Sequence, residues 1–208
     1  MISTAPPCIL FECTNESLNA IINGLTPGRE DNILAIGGAG NQAFAMLSYG
    51  SKVSVIDYNS YQLELIKKRR DSLKKFDFSG FLGISLGEAK LSRSRFIPLR
   101  LNLGSLTILE PQDLFDFLFP VEEFNKFYFS NATSYNPSGR ISLSGRSLVG
   151  HLRDFFKRCK PGSLVYLSDG NRSEDIYMEV GFKIDKERRD TARYWEVGSW
   201  EPSVLFKP

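Results

Sequence analysis

The stretch from Ile33 to Asp57, ILAIGGAGNQAFAMLSYGSKVSVID, constrains what this chain can fold into more than any other. Ile33-Leu34-Ala35-Ile36 is a short run of apolar, strand-forming residues. It stops at Gly37-Gly38-Ala39-Gly40, where the backbone can turn tightly and approach a ligand with few Cβ atoms in the way. Asn41 to Tyr49 follows with Ala43, Phe44, Met46 and Leu47 at helical spacing, and Gly50 stands where that helix would end. A second apolar run, Val53-Ser54-Val55-Ile56, then ends in Asp57.

Strand, glycine turn, helix, strand, acid is the order of a mononucleotide-binding half of a Rossmann-like sheet. In such a unit the turn, Gly37 to Gln42, faces the ligand. The acid at the tip of the second strand, followed here by Tyr58 and Asn59, lies where a ribose diol would sit. A carboxylate accepts from both hydroxyls, and hydrogen bonds to charged groups are worth about 1.5–3 kcal/mol each. Asp57 or Asn59 could instead cap the helix that starts near Ser60.

The remaining segments extend an α/β pattern over all 208 residues, enough for one domain with a single sizeable core. Leu18, Ile21, Ile22 and Leu25 recur at helical spacing after the capping stretch Thr14-Asn15-Glu16-Ser17, giving a helical lead-in over about 12–25. Tyr58 to Lys75 reads as an amphipathic helix covering one face of the sheet. An irregular or partly helical insertion spans about 76–105, and Arg93, Arg95 and Arg100 would make an acceptor pocket there basic or else stand on the surface.

Leu106 to Leu109 is the third strand, with Asp113 beyond its end either as a plain loop acid or facing an adenine edge. Phe115 to Glu123 suggests a short helix before a fourth strand, Phe127 to Ser130. Open α/β sheets bind ligands outside the carboxyl ends of their strands, so the polar loop after Ser130 is the natural place for transfer chemistry. Asn131 and Tyr135 are the catalytic candidates there, and an Asx-turn with a surface aromatic is the alternative. Asn131 also borders the cofactor side.

Ser144 to Cys159 reads as the next helix, with Lys160-Pro161-Gly162-Ser163 turning it into a fifth strand, Leu164 to Leu167. Arg193 to Val197 and Ser203 to Phe206 alternate polar with apolar residues, as expected of an antiparallel pair at the sheet edge. The expected fold is a Rossmann-like three-layer sandwich, mostly parallel, with an antiparallel edge pair at the C-terminus.

Composition excludes several function classes. A net charge of +2 is too near balance to argue for a nucleic-acid partner, and Lys67-Lys68-Arg69-Arg70 reads as a solvated helix face whose cations favour the negative end of the helix dipole. Cys8, Cys13 and Cys159, without CxxC spacing and with the single histidine His151, support neither a disulfide framework nor a zinc site; the expectation is reduced thiols and a cytoplasmic location. No apolar run approaches the roughly 20 residues that span a bilayer. His151 lies inside the helix Ser144 to Cys159, away from the ligand side, which argues against a histidine-dependent triad.

The motifs IGGAGN (Ile36 to Asn41), VIDYN (Val55 to Asn59), ILEPQD (Ile108 to Asp113), RCKPGSLVYLSD (Arg158 to Asp169) and VGFKI (Val180 to Ile184) together resemble the class I S-adenosylmethionine-dependent methyltransferase fold over nearly the whole chain. Within that fold, LAIGGAGNQAFAML followed by VIDYNSYQLELIKKR looks like the 3-amino-3-carboxypropyl transferases of betaine-lipid synthesis, through Ala39, Gly40, Ala43, Asp57, Asn59, Gln62 and Leu63.

GFLGISLGEAK is a looser echo of a glycine-rich segment of the same family. The resemblance implies S-adenosylmethionine as cofactor, held by Gly37 to Gln42, Asp57, Tyr58, Asn59, Gln62, Asp113 and Asn131, and a small-molecule acceptor of a methyl or aminocarboxypropyl group. Ile36 replaces the acid of the common methyltransferase turn and Gln42 its third glycine. Read as GxGxxA from Gly38 to Ala43, the turn would also suit an NAD(P) dinucleotide, and a cofactor-binding protein without turnover is a further class.

Overall fold

The computed structural model describes residues 11–79, 93–116, 118–133 and 145–208. Its frame is one seven-stranded sheet of β1 (Asn32–Ile36), β2 (Lys52–Ile56), β3 (Leu106–Ile108), β4 (Lys126–Ser130), β5 (Leu164–Leu167), β6 (Lys183–Ile184) and β7 (Ser203–Phe206), in the order β3-β2-β1-β4-β5-β7-β6. β1 to β5 pair in parallel, while β7 runs antiparallel to both β5 and β6. β1 and β2 read as near-continuous apolar runs because both of their faces are covered.

Register sorts the side chains onto two faces. Ile33, Ala35, Val53, Val55, Tyr128 and Tyr166 pack with α1 (Leu18–Leu25), α2 (Asn41–Leu47), α3 (Ser60–Lys74) and α4 (Phe96–Leu101). Leu34, Ile56, Phe127, Phe129 and Val165 pack against α5 (Gly145–Arg158) and α6 (Gly170–Glu179). α7 (Lys186–Trp195) lies beside α1 on the first face, where Ala192 is fully buried. Two helical layers thus enclose the sheet.

Local chemistry sets the ends of these elements. The Ser17 hydroxyl accepts from the Ala20 N–H and caps α1, as the Thr14–Ser17 stretch predicts. Asn59 caps α3 through the Tyr61 N–H. At the amino edge of the sheet, Asp31 pairs with Lys126 at 2.7 Å and accepts from Gly28 N–H and from the Asn125 amide, fixing the entry into β1.

Two sequence expectations are corrected. Arg193 to Val197 is no strand: Asp185 caps a helix that runs to Trp195, and the edge pair is formed by β6 and β7 instead. Among the described residues, Phe115 to Glu123 shows two 3-10 turns, Leu114–Asp116 and Val121–Glu123, in place of a helix, and Pro120 between them lacks an N–H to donate and fixes its own φ. The 76–105 stretch, where described, takes the partly helical of its two expected forms, with α4 flanked by 3-10 turns. Gly80–Lys90, Tyr135 and Cys8 lie outside the described residues. Among the described residues no helix is long and apolar enough to cross a membrane.

Candidate functional site

Register also places a row of residues along the carboxyl tips of the strands. Ala35 pairs with Val55 on one side and Tyr128 on the other, and Tyr128 pairs with Tyr166. Two residues further along the same face come Asp57 after β2, Gly37 after β1 and Ser168 after β5, while Ser130 ends β4 beyond a register shift that pairs it with Leu167.

Gly37 and Asp57 are in direct contact. A Cβ on Gly37 would fall 2.9 Å from Asp57 Oδ2, so only glycine lets this acid lie against the turn. Asp57 Oδ2 accepts the Gly38 N–H and Oδ1 accepts the Asn59 N–H, both at 2.9 Å. A carboxylate has about four lone-pair positions, so the backbone N–H groups around it leave room to receive a sugar hydroxyl. Burial pushes the Asp57 carboxyl upward, while the N–H groups of Asn59, Gly38 and Tyr58 pull it down.

The turn is held from beneath. Gly40 sits at φ +81, and a Cβ there would strike Ile66 Cγ1 at 2.8 Å. The Gln42 amide donates to the carbonyls of Ile36 and Gly37, and Gln62 from α3 donates to the Gly38 carbonyl at 2.5 Å. Arg69, also on α3, donates to the Ala39 carbonyl, to Asn41 Oδ1 at 3.3 Å and to the Glu12 carbonyl at 2.6 Å. Gln62 both donates to and accepts from the backbone of Phe11, so the same two side chains tie residues 11–12 to the turn.

The sequence candidates therefore divide. Gly37, Gly38, Ala39, Gly40 and Asp57 come together, whereas Asn41, Gln42 and Gln62 direct their side chains into the protein as braces of the turn. Tyr58 is exposed beside Asp57. Asp113 is an exposed loop acid whose Oδ1 accepts the Phe115 N–H, although the Gln112 N–H beside it reaches the Asp57 carbonyl. Asn131 is half-buried next to Ser130, with Oδ1 3.3 Å from the Ser130 hydroxyl.

The basic-pocket expectation is corrected for Arg95 and Arg100. Their guanidiniums lie over the rings of Tyr49 and Phe76, just past the C-termini of α2 and α3, at the opposite end of these helices from the turn.

Sequence reading missed two features. Arg69, on the basic run that reads as a solvated face, is buried under the turn; its spacing from Gln62, Ile66 and Leu73 on the buried stripe of α3 is the available signal. The second is Glu16, 4% exposed, whose Oε1 receives the Ser130 hydroxyl at the tip of β4. Ser130 itself sits at φ +54.

Burial pushes the Glu16 carboxyl up to about 7; the hydroxyls of Ser130, Tyr128 and Ser168 oppose the shift and the Glu196 carboxylate adds to it. A carboxyl whose folded value is raised contributes stability that is complete below its ordinary value near 4.5 and is lost as pH rises through about 7. Thermal melts of the ligand-free protein across pH 4.5 to 7.5 should therefore decline more steeply than those of Glu16→Gln. Parallel curves for the two proteins would mean that the carboxyl is not held in this way.

No family model and no curated protein matches the sequence. Solved structures do match, and the class they define is the Rossmann-like methyltransferase fold. The CcbJ methyltransferase from Streptomyces caelestis aligns at a TM-score of 0.56 and 10% identity, covering 91% of this chain and 88% of its own. The N-methyltransferase NodS from Bradyrhizobium japonicum, solved with S-adenosyl-L-homocysteine, aligns at 0.54 and 12% identity over 91% and 84%. The [4+2]-cyclase SpnF aligns at 0.58 and 9% identity over 92% and 79%. At such identities the likeness establishes the fold.

Proposed function

We propose that this protein is an S-adenosylmethionine-dependent transferase that moves a methyl group to a small-molecule acceptor. The observation that carries the reading is the contact between Asp57 and the glycine turn. A carboxylate with lone pairs still open lies at the tip of β2, against a turn whose Gly37 and Gly40 positions exclude side chains. In the sheet order β3-β2-β1-β4-β5-β7-β6 the antiparallel β7 stands where a dinucleotide fold would continue in parallel, which disfavours the NAD(P) alternative.

The donor supplies a sulfonium whose departure drives the transfer, so a strong base is optional. Asp57 would hold the ribose, the turn would carry the chain of atoms leading from it, and Asn131 at the tip of β4 would border the acceptor. Orientation and exclusion of water are then the main contributions of the chain.

A second reading, transfer of the 3-amino-3-carboxypropyl arm, is favoured by one observation. Gln62, a residue of that resemblance, directly holds the Gly38 carbonyl. The nucleoside product separates the two: S-adenosylhomocysteine after methyl transfer, methylthioadenosine after arm transfer, each identified by mass spectrometry after incubation with an acceptor panel.

The cofactor class is tested by thermal shift with S-adenosylmethionine, S-adenosylhomocysteine, methylthioadenosine, NAD and NADP. A ligand at 100 times its Kd stabilises by about 2.7 kcal/mol, or roughly 5–10 °C for a chain of this size. The sulfonium nucleoside and its products should give that shift and the dinucleotides none. A shift with NAD alone would refute the assignment.

A further inference from the structure

Glu16 is a buried acid without a buried cation to pair with among the groups that set its titration, which are the hydroxyls of Ser130, Tyr128 and Ser168 and the carboxylate of Glu196. One of its oxygens is occupied by the Ser130 hydroxyl, while Oε2 has no hydrogen-bond partner among the described residues. One further polar atom nearby, the Tyr166 hydroxyl, is likewise buried and without a hydrogen-bond partner there. An orphaned carboxylate oxygen beside an orphaned hydroxyl favours a positively charged, hydrogen-bond-donating group.

The position of this cluster specifies the group. Asp57, Gly37 and Ser130 stand at the tips of β2, β1 and β4, which are successive neighbours in the sheet. Strands lie about 4.8 Å apart, so the tip of β4 is about 10 Å from that of β2 across the turn. That is comparable to the span from the ribose diol of a sulfonium nucleoside to the amino group of its amino-acid arm. A nucleoside with its sugar at Asp57 and its arm running across Gly37 would bring its ammonium group to Glu16.

We propose that Glu16 is the counter-charge for the ammonium group of the donor's amino-acid arm, which its Oε2 receives above the Ser130 hydroxyl. This rests on the S-adenosylmethionine reading and deepens it, assigning recognition of the arm to a residue of the segment before α1. It also accounts for Ile36, an apolar residue where the common turn carries an acid: the negative charge enters the site from the N-terminal segment instead. In the free protein Glu16 titrates near neutrality, so binding an ammonium group at pH 7 drives the carboxyl to its ionised form and releases a proton to solvent.

The test uses the full chain, Glu16→Gln, and three probes. S-adenosylhomocysteine carries the arm, its deaminated analogue lacks only the amino group, and methylthioadenosine lacks the arm. By isothermal titration, Glu16→Gln should bind S-adenosylhomocysteine about tenfold more weakly or worse, with the affinities of the other two unchanged. Titrations at pH 7 in two buffers of different ionisation enthalpy should show proton release for wild type with S-adenosylhomocysteine and none for the variant.

Equal weakening for all three probes would assign Glu16 to shaping the site, and unchanged S-adenosylhomocysteine affinity would remove it from the site; either overturns the proposal. If wild type binds none of the three, the nucleoside reading itself fails and takes this one with it. If wild type binds methylthioadenosine but gains nothing from the arm, only the role of Glu16 is lost.

Discussion

Asp57→Ala is expected to remain folded and to lose binding of S-adenosylhomocysteine by more than about 100-fold. The carboxylate makes two backbone hydrogen bonds, to the Gly38 and Asn59 N–H groups, and in the proposed complex two more to the ribose. Hydrogen bonds to charged groups contribute about 1.5–3 kcal/mol each, so losing the pair to the sugar alone costs at least two decades in affinity. Loss of the two backbone contacts should lower stability by only about 1–2 kcal/mol, because both N–H groups lie near the carboxyl edge where water can replace the acceptor.

Asp57→Asn should fall between the two, since an amide offers one acceptor oxygen in place of two. Titration calorimetry with S-adenosylhomocysteine measures the loss directly, and thermal melts without ligand measure the stability cost. Asp57→Ala binding within threefold of wild type would show that the sugar is held elsewhere.

The strand, turn and acid were legible because each is fixed by neighbours in sequence. β1 and β2 are buried on both faces and read as apolar runs, and a glycine turn between strand and helix has few alternatives. The edge of the sheet was less legible. Arg193 to Val197 alternates over only five residues, too short a window to separate a strand from one and a half turns of helix, and the cap that decides the matter is Asp185, eight residues upstream.

The polar side of the site was hidden for a different reason. Glu16 meets Ser130 across 114 residues of chain and Ser17 meets Glu196 across 179, so the burial of the N-terminal segment is a product of tertiary contact. Thr14 to Ser17 read as a helix cap, and Ser17 is one. Nothing local to Glu16 signals that its neighbour on the other side is the tip of β4. Tyr128, Ser130, Tyr166 and Ser168, polar residues two apart in otherwise apolar strands, were the trace the site left in the sequence.

Arg69 shows how a basic run can conceal a structural residue, and its replacement carries the largest expected stability loss. Its guanidinium is the shared donor for the Ala39 carbonyl in the turn, the Asn41 side chain at the start of α2 and the Glu12 carbonyl in the N-terminal segment. Arg69→Ala leaves the Ala39 carbonyl without this donor in a buried place and the Glu12 carbonyl in a part-buried one, while Asn41 Oδ1 keeps the Thr14 N–H. Each unsatisfied acceptor costs about 1–3 kcal/mol, and allowing for water entering the space, a net loss of about 3–4 kcal/mol follows. For a chain of this length that lowers Tm by roughly 6–16 °C.

Arg69→Lys should recover little, because a single ammonium on a flexible stem cannot span the turn and the N-terminal segment as a planar fork does. Arg70→Ala is the control: its side chain pairs at 3.2 Å with an exposed Asp71 on the outer face of α3, and such pairs contribute less than about 1 kcal/mol. Because Arg69 joins the turn to the segment that carries Glu16, its loss should also weaken S-adenosylhomocysteine, although the guanidinium itself reaches only protein groups in these contacts. A melting temperature for Arg69→Ala no lower than that of Arg70→Ala would mean that the turn holds its shape unaided, and the coupling between the glycine turn and the N-terminal segment would have to be abandoned.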